Sequence, residues 1–163
     1  MWLINAFTSK GPLFFRQERT GKGGESFTIL KFRSMHAGGE STWTSEGDPR
    51  ITTAGQFLRR THLDELPQLI NILRGDLSLV GPRPEQTSYV EELRTKIPFY
   101  DVRHLVRPGL PGWAQVRYPY GADEQDALEK LQYDLYYLRR QSIATDVFII
   151  VRTLRSVLRG SGR

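Results

Sequence analysis

No cysteine occurs among the 163 residues, so neither a disulfide nor a thiolate-held metal contributes to the fold or its chemistry. That absence leaves the redox compartment open. Also missing is any run of the roughly 18–20 apolar residues that a membrane span requires. The opening, MWLINAFTSKGPLFF, lacks the basic start and small-residue cleavage site of a signal peptide. As it stands, the chain is expected to be soluble or peripheral. Its three histidines, His36, His62 and His104, show no metal-ligand spacing and are expected to be structural. TGKGGES lacks the spacing of a P-loop, and there is no G-x-S-x-G elbow. Lysine is scarce too, at five of the 23 basic residues, the others being arginine. So strong a preference for arginine favours planar, bidentate recognition of phosphate over diffuse attraction.

A composition of 39% hydrophobic and 25% charged residues is enough for one globular domain over residues 1–163, with a core of its own. The 23 basic residues outnumber 18 acidic ones, for a net charge of +5 and a pI near 9.7. Partners should therefore carry negative charge: nucleic acid, anionic lipid or a phosphorylated small molecule. The cations are spread along the chain, and no helix-turn-helix, RRM or zinc pattern accompanies them, which argues against nucleic acid.

Patterning predicts an α+β fold, a mainly helical domain around a small β-hairpin with amphipathic surface helices. The hairpin lies between Leu13 and Met35, turning at TGKGG, whose glycines supply positive φ. Residues 36–50, rich in Gly, Ser, Thr and Asp, read as a mobile loop. Helices are expected over about Thr53–Arg60, then after Glu65 as far as Leu73, and over 85–96. Between them, GPRP holds Arg83 in extended backbone between two prolines. Residues 98–121 are punctuated by Pro and Gly. A further helix carries Leu128, Leu131, Leu135 and Leu138 at 3-4 spacing. In the last one, Val147, Ile150, Val151, Leu154 and Leu158 form one stripe, with Arg152, Arg155 and Arg159 on another face. That helix suits a core seam with a solvated back as well as it suits contact with an anionic membrane.

Within THLDELPQL, Asp64 and Glu65 are adjacent, just before Pro67, a residue at home in a first helical turn; both acids are thus placed at a helix N-terminus. Neighbours on a helix point about 100° apart, so the two should do different jobs rather than share a proton. The plain reading is helix capping. The chemical one is a carboxylate nucleophile with a partner, and a divalent cation such as Mg²⁺ held by Asp64 and Glu65 would let them approach phosphate.

GPLFFRQERTG, FTILKFRSM, GDPRIT, LDELPQLINILRGDLSLVGPRPE, RPGLPGWAQV and LQYDLYYLRR occur in that order. Together they resemble the monotopic phosphoglycosyl transferases of bacteria, polyprenyl-phosphate sugar phosphotransferases of the exopolysaccharide-initiating type. The resemblance implies transfer of a phosphosugar from a UDP-sugar to polyprenyl (undecaprenyl) phosphate. UMP is released and a covalent phosphosugar forms on an Asp, here Asp64, with Glu65 completing the pair and Mg²⁺ as cofactor. It implies phosphate or substrate contacts for Lys31, Arg33, Arg83 and Arg107. Gln115 is a candidate for uracil or sugar, its loop-packing alternative being equally natural. For Trp113, Tyr133, Tyr136 and Tyr137, packing is favoured over base stacking. The implied place is the cytoplasmic face of the bacterial inner membrane, against an anionic membrane surface, with an oligomer compatible. Two positions depart from the family pattern: Pro111 replaces a usual Thr, and His62 a usual Ser. The family also carries a re-entrant membrane helix before TSKGP, where this chain has MWLINAF; residues 1–12 are expected to be the remnant of a membrane-proximal segment. The competing reading is a basic module without activity that binds a membrane surface or nucleic acid.

Overall fold

Gly21 to Glu25 turns the chain through a short 3-10 segment in which Gly23 and Gly24 take φ of 70° and 82°, values that glycine reaches without steric cost. This closes an antiparallel hairpin of β1 (Phe14–Thr20) and β2 (Ser26–Phe32), with Thr20 opposite Ser26 and Phe14 opposite Phe32. The computed structural model describes residues 11–36, 48–118 and 123–158. Much of the expected mobile loop, 37–47, and nearly all of the 1–12 segment lie outside them. The described ends of that loop are tied together: the amide of His36 donates to the Arg50 carbonyl, and Arg50 pairs with buried Asp48.

Helix α1 (Thr53–Arg60) starts at Thr52, whose hydroxyl accepts from the Gly55 amide in a regular N-cap. A Cβ on Gly55 would sit 1.9 Å from the Ser34 carbonyl oxygen, so only glycine lets α1 lie directly on the chain leaving β2. Helix α2 (Gln68–Arg74) ends at Gly75, in the left-handed region at φ 85°. Helices α3 (Thr87–Lys96), α4 (Trp113–Arg117), α5 (Glu124–Arg139) and α6 (Ile143–Leu158) follow. A 3-10 segment at Tyr100–Leu105 and the five-residue α4 were not expected from the Pro- and Gly-rich stretch. The α+β reading holds, as do the hairpin and the principal helices.

Two apolar clusters form the core. Val90, Ile97, Tyr100 and Leu131 join α3, the 3-10 segment and α5; Val80, Tyr137 and Ile149 join the chain after α2 to α5 and α6. The leucine stripe of α5 is divided between them, Leu128 and Leu135 against the first and Leu138 against the second. On α6 the expected stripe is displaced: Ile149 is the fully buried residue and Ile150, the stripe member beside it, packs against the same cluster, while Val147, Val151 and Leu154 stay 53%, 41% and 55% exposed. Trp113 stacks on Tyr136 and meets Phe148, Tyr118 stacks on Tyr133, and Tyr137 is buried, the packing role expected of these rings.

A two-stranded hairpin is marginal alone. Here α2 acts as its third edge: the Asn71 side-chain oxygen accepts from the Leu30 amide at 3.1 Å and its amide donates to the Thr28 carbonyl at 2.8 Å. This turns α2 inside out. Its polar Gln68 and Asn71 are buried, while Leu66, Leu69, Ile70 and Leu73 on the outer side are 46%, 47%, 40% and 88% exposed.

Candidate active site

Asp64 and Glu65 occupy a 3-10 turn, Leu63–Glu65, that runs through Leu66 and Pro67 into α2. They therefore stand one turn ahead of the helix, a correction to the expected N-terminal placement. Side-chain cations, rather than the amides of α2, neutralise Glu65. The turn is entered at His62, a non-glycine residue at φ 54°. Such a conformation costs of order 1–3 kcal/mol and survives only where its surroundings fix it.

The two acids meet different environments, as adjacency on a tight turn requires. Glu65 Oε1 accepts from Lys31 Nζ at 2.7 Å and from Arg83 Nη2 at 3.2 Å. Burial alone would push the Glu65 carboxyl up, but the Lys31 and Arg83 charges outweigh it and hold it well below the usual range. Lys31 in turn is pushed down by burial, against the pull of Glu65. Asp64, only 7% exposed, accepts no hydrogen bond from any described residue. Burial pushes its carboxyl up, opposed by Lys31 and reinforced by the Glu65 charge.

A small pit lined by Arg19, Lys31, Gln68 and Arg83 together with Gly109 and Leu110 adjoins the pair through Lys31 and Arg83, the two cations bonded to Glu65; neither acid lines it. Burial pushes the Arg19 guanidinium down to about 10. Lys31 and Glu65 are 16% and 13% exposed at the side chain, whereas Arg83 is 42% exposed. Arg83 thus spends one nitrogen on Glu65 and presents the rest of its fork outward. Two cations on Glu65, with Arg19 in the adjoining pit, suit an incoming phosphate.

Other expected members lie elsewhere. Arg33 is buried, and its Nε donates to the Pro12 carbonyl at 3.0 Å, tying β2 to the chain before β1. The Arg107 side chain is exposed, and its backbone abuts Gly81 where two loops cross so closely that a Cβ on Gly109 would lie 2.0 Å from the Gly81 nitrogen. Gln115 donates to the Leu110 carbonyl at 3.2 Å, the packing role, and leaves its buried Oε1 without a partner. The structure adds Arg19 and Gln68 to the pit, and Arg103 and Asp134 behind Arg83. His104 is pushed down to about 4 by burial and by Arg103, a neutral packed ring as expected.

For a divalent cation, no group of three acidic, histidine or cysteine side chains is gathered among the described residues. Mg²⁺ is nonetheless commonly held by one or two carboxylates plus substrate phosphates. A buried Asp64 that accepts no hydrogen bond from the described residues, beside a carboxylate of which one oxygen is engaged, fits that mode.

The arrangement, a carboxylate pair with Lys31 and Arg83 on one member, is chemically suited to a phosphorylated anion and sits on an α+β scaffold. A family model described as bacterial sugar transferase matches residues 1–160, and the chain belongs to that family. It is 46% identical over 157 residues to a UDP-N-acetylgalactosamine-undecaprenyl-phosphate N-acetylgalactosaminephosphotransferase of Aeromonas hydrophila, covering 94% of this chain and 37% of that protein. It is 44% identical over 155 residues to a UDP-glucose:undecaprenyl-phosphate glucose-1-phosphate transferase of Caulobacter vibrioides, covering 92% and 58%. It is 40% identical over 173 residues to an exopolysaccharide production protein, PSS, of Rhizobium leguminosarum, covering 98% and 85%. The chain thus spans about a third to three-fifths of the first two relatives.

Proposed function

We propose that this chain carries the phosphosugar-transfer chemistry that its relatives' names describe. It would move a sugar 1-phosphate from a UDP-sugar to undecaprenyl phosphate in exopolysaccharide or related glycan assembly. The observation that carries this reading is the contrast inside the acid pair: Glu65 Oε1 is bonded by both Lys31 and Arg83, while Asp64 is buried and accepts no hydrogen bond from any described residue.

An Asp64 oxygen attacks the sugar-bearing phosphorus; its bond to the bridging oxygen breaks, and UMP leaves with the electron pair. An oxygen of the lipid phosphate then attacks the same phosphorus, the aspartyl–phosphorus bond breaks, and Asp64 is restored. Arg83 and Lys31 lower the charge an approaching diphosphate must meet, and Arg19 adds to the local field. Glu65 holds Lys31 and Arg83 in place. Bound at Asp64 and Glu65 with substrate phosphate oxygens, Mg²⁺ would act as a Lewis acid on the phosphoryl group.

Release of UMP from UDP-glucose or UDP-N-acetylgalactosamine tests the reading against a non-catalytic membrane-surface module. Turnover should vanish with EDTA and return with Mg²⁺. A persistent lack of UMP with either sugar would favour the module, and undiminished release in EDTA would remove the metal.

The inverted α2 supports an anionic membrane surface as partner. Leu66 and Leu69 flank the reactive turn and, with Leu73, face outward; Arg59, Arg60 and Arg74 close the last turns of α1 and α2. On α6, exposed Ile143 and Leu154 share one side of the helix, while the exposed Arg152 and Arg155 lie on another. No described helix is long and apolar enough to cross a membrane. Binding to vesicles containing phosphatidylglycerol should weaken as salt rises and drop on Leu73→Glu. Equal binding to neutral vesicles would remove electrostatics, and an unchanged Leu73→Glu would remove α2 from the contact.

A further inference from the structure

Four consecutive carbonyls of the loop bearing Arg83 are bonded from outside it. The Gly109 amide donates to Pro82 O at 2.9 Å, Arg103 Nη2 to Arg83 O at 3.0 Å, Arg19 Nη1 to Pro84 O at 3.1 Å and the Thr20 amide to Glu85 O at 3.0 Å. Among these donors Arg103 is unusual, a charge with only 5% of its side chain exposed. Burying a guanidinium is strongly unfavourable unless it is paired. The chain supplies Asp134 of α5, 1% exposed and 2.8 Å from Nη2, and the Tyr100 hydroxyl, 2.7 Å from Nη1. Leu131, one turn earlier on α5, fills the neighbouring position with apolar mass. A seam needing only cohesion would be as stable with leucine-like side chains here too, since apolar replacements of buried pairs are often neutral or stabilising. What the charged pair supplies and leucine cannot is a directed donor to the Arg83 carbonyl.

We propose that the buried Arg103–Asp134 pair positions Arg83, fixing the direction from which its guanidinium meets the substrate's phosphates; this rests on the transferase reading above. Pro82 and Pro84 restrict the backbone on either side. The orientation of the intervening peptide is then set by the bond from Arg103, whose charge Asp134 balances 2.8 Å from Nη2 and whose Nη1 the Tyr100 hydroxyl holds. Without it the Arg83 peptide can tilt, and the exposed fork tilts with it. Arg103 itself meets Arg83 through the backbone and is a positioning residue.

UDP with Mg²⁺, titrated calorimetrically into the full chain, is the probe, and thermal melting reports folding. The paired replacement Arg103→Met with Asp134→Leu removes both charges and keeps the volume. It should melt close to wild type while UDP affinity falls by about 10–100-fold, the scale of a catalytic group displaced by an ångström. Combined with Arg83→Lys it should bind no more weakly than Arg83→Lys alone, because both changes act through one guanidinium. Arg103 Nη2 meets both the Arg83 carbonyl and Asp134 while Nη1 is held by Tyr100. Arg103→Lys keeps a charge for Asp134 but loses the planar fork that fixes Nη2 on that carbonyl, and should also lose affinity while remaining folded, which decides the matter if the paired variant does not fold. Additive losses in the combined variant, or full UDP affinity in a folded Arg103→Lys, would overturn the proposal. No binding of UDP to the wild-type chain, or full affinity in Arg83→Lys, would instead remove the transferase reading and the proposal with it.

Discussion

Asp64→Asn should abolish release of UMP, with a loss on the order of 10⁴-fold or more, the scale at which removal of a covalent nucleophile is felt. The amide keeps the shape of the side chain and loses the anion that attacks phosphorus. Stability should move the other way. Burial raises the Asp64 carboxyl above its ordinary value, so the folded state is penalised once pH exceeds the unfolded value and the group must ionise. The asparagine variant, which carries no such charge, should melt at or above the wild-type temperature at pH 7. The difference should shrink toward zero as pH falls below the ordinary aspartate range, where both states are protonated. Calorimetric melting across pH 3–8, beside the UMP assay, checks both halves. A variant that loses activity because it unfolds would place Asp64 among structural residues.

Glu65→Gln should be severe for a different reason. It removes the charge to which Lys31 and Arg83 are both bonded and leaves two cations facing each other in a largely buried pit. Breaking such a buried arrangement from one side typically costs about 3–5 kcal/mol; the 42% exposure of Arg83 argues for the lower end. The sign with pH is opposite to that of Asp64. Glu65 is held well below its usual range, so its contribution is fully present above the ordinary glutamate value and is lost as pH falls through the depressed one. Wild type and Glu65→Gln should therefore converge in stability in acid and diverge toward neutrality. UMP release should fall as well, since both phosphate-facing cations lose their anchor. Equal melting temperatures at pH 7 would mean that the cluster is not what orders the pit.

Much of this was legible in the residues. The TGKGG turn, the Thr-capped helix at Thr53 and the capped helix ending at Arg139 each carry local chemistry that determines local structure. The acid pair could be singled out beside Pro67 and Arg83 between its two prolines, whereas Lys31 came only from the resemblance, which named Arg33 and Arg107 as well; the structure brings Lys31 and Arg83 to Glu65 and holds Arg33 against Pro12. Asp134 left a signal that went unread: an acid inside the apolar stripe between Leu131 and Leu135, where a solvated face would not put one. Gln68 and Asn71 left another, two amides three residues apart on a helix whose remaining residues are mostly Leu and Ile. Arg19 and Arg103 could not be placed, because their partners lie on other elements. Arg19 Nη1 reaches a carbonyl 65 residues away, and Arg103 one 20 residues away. The position of the α6 stripe was missed because helical period gives a face but not which neighbour claims it; Ile149 went to the core and left Val147, Val151 and Leu154 outside.

A covalent intermediate on Asp64 is open to direct weighing. The first half of the reaction needs the UDP-sugar, Mg²⁺ and the pit described here, with no lipid. Intact-mass spectrometry of the chain, quenched after mixing with UDP-glucose or UDP-N-acetylgalactosamine, should show a mass increase of one phosphosugar on a fraction of molecules. UMP should appear in at most equal amount, and peptide mapping should place the adduct at Asp64. The same mixture with Asp64→Asn should show neither adduct nor UMP. Steady release of UMP with no adduct at any quench time, or an adduct that persists in Asp64→Asn, would contradict the assignment.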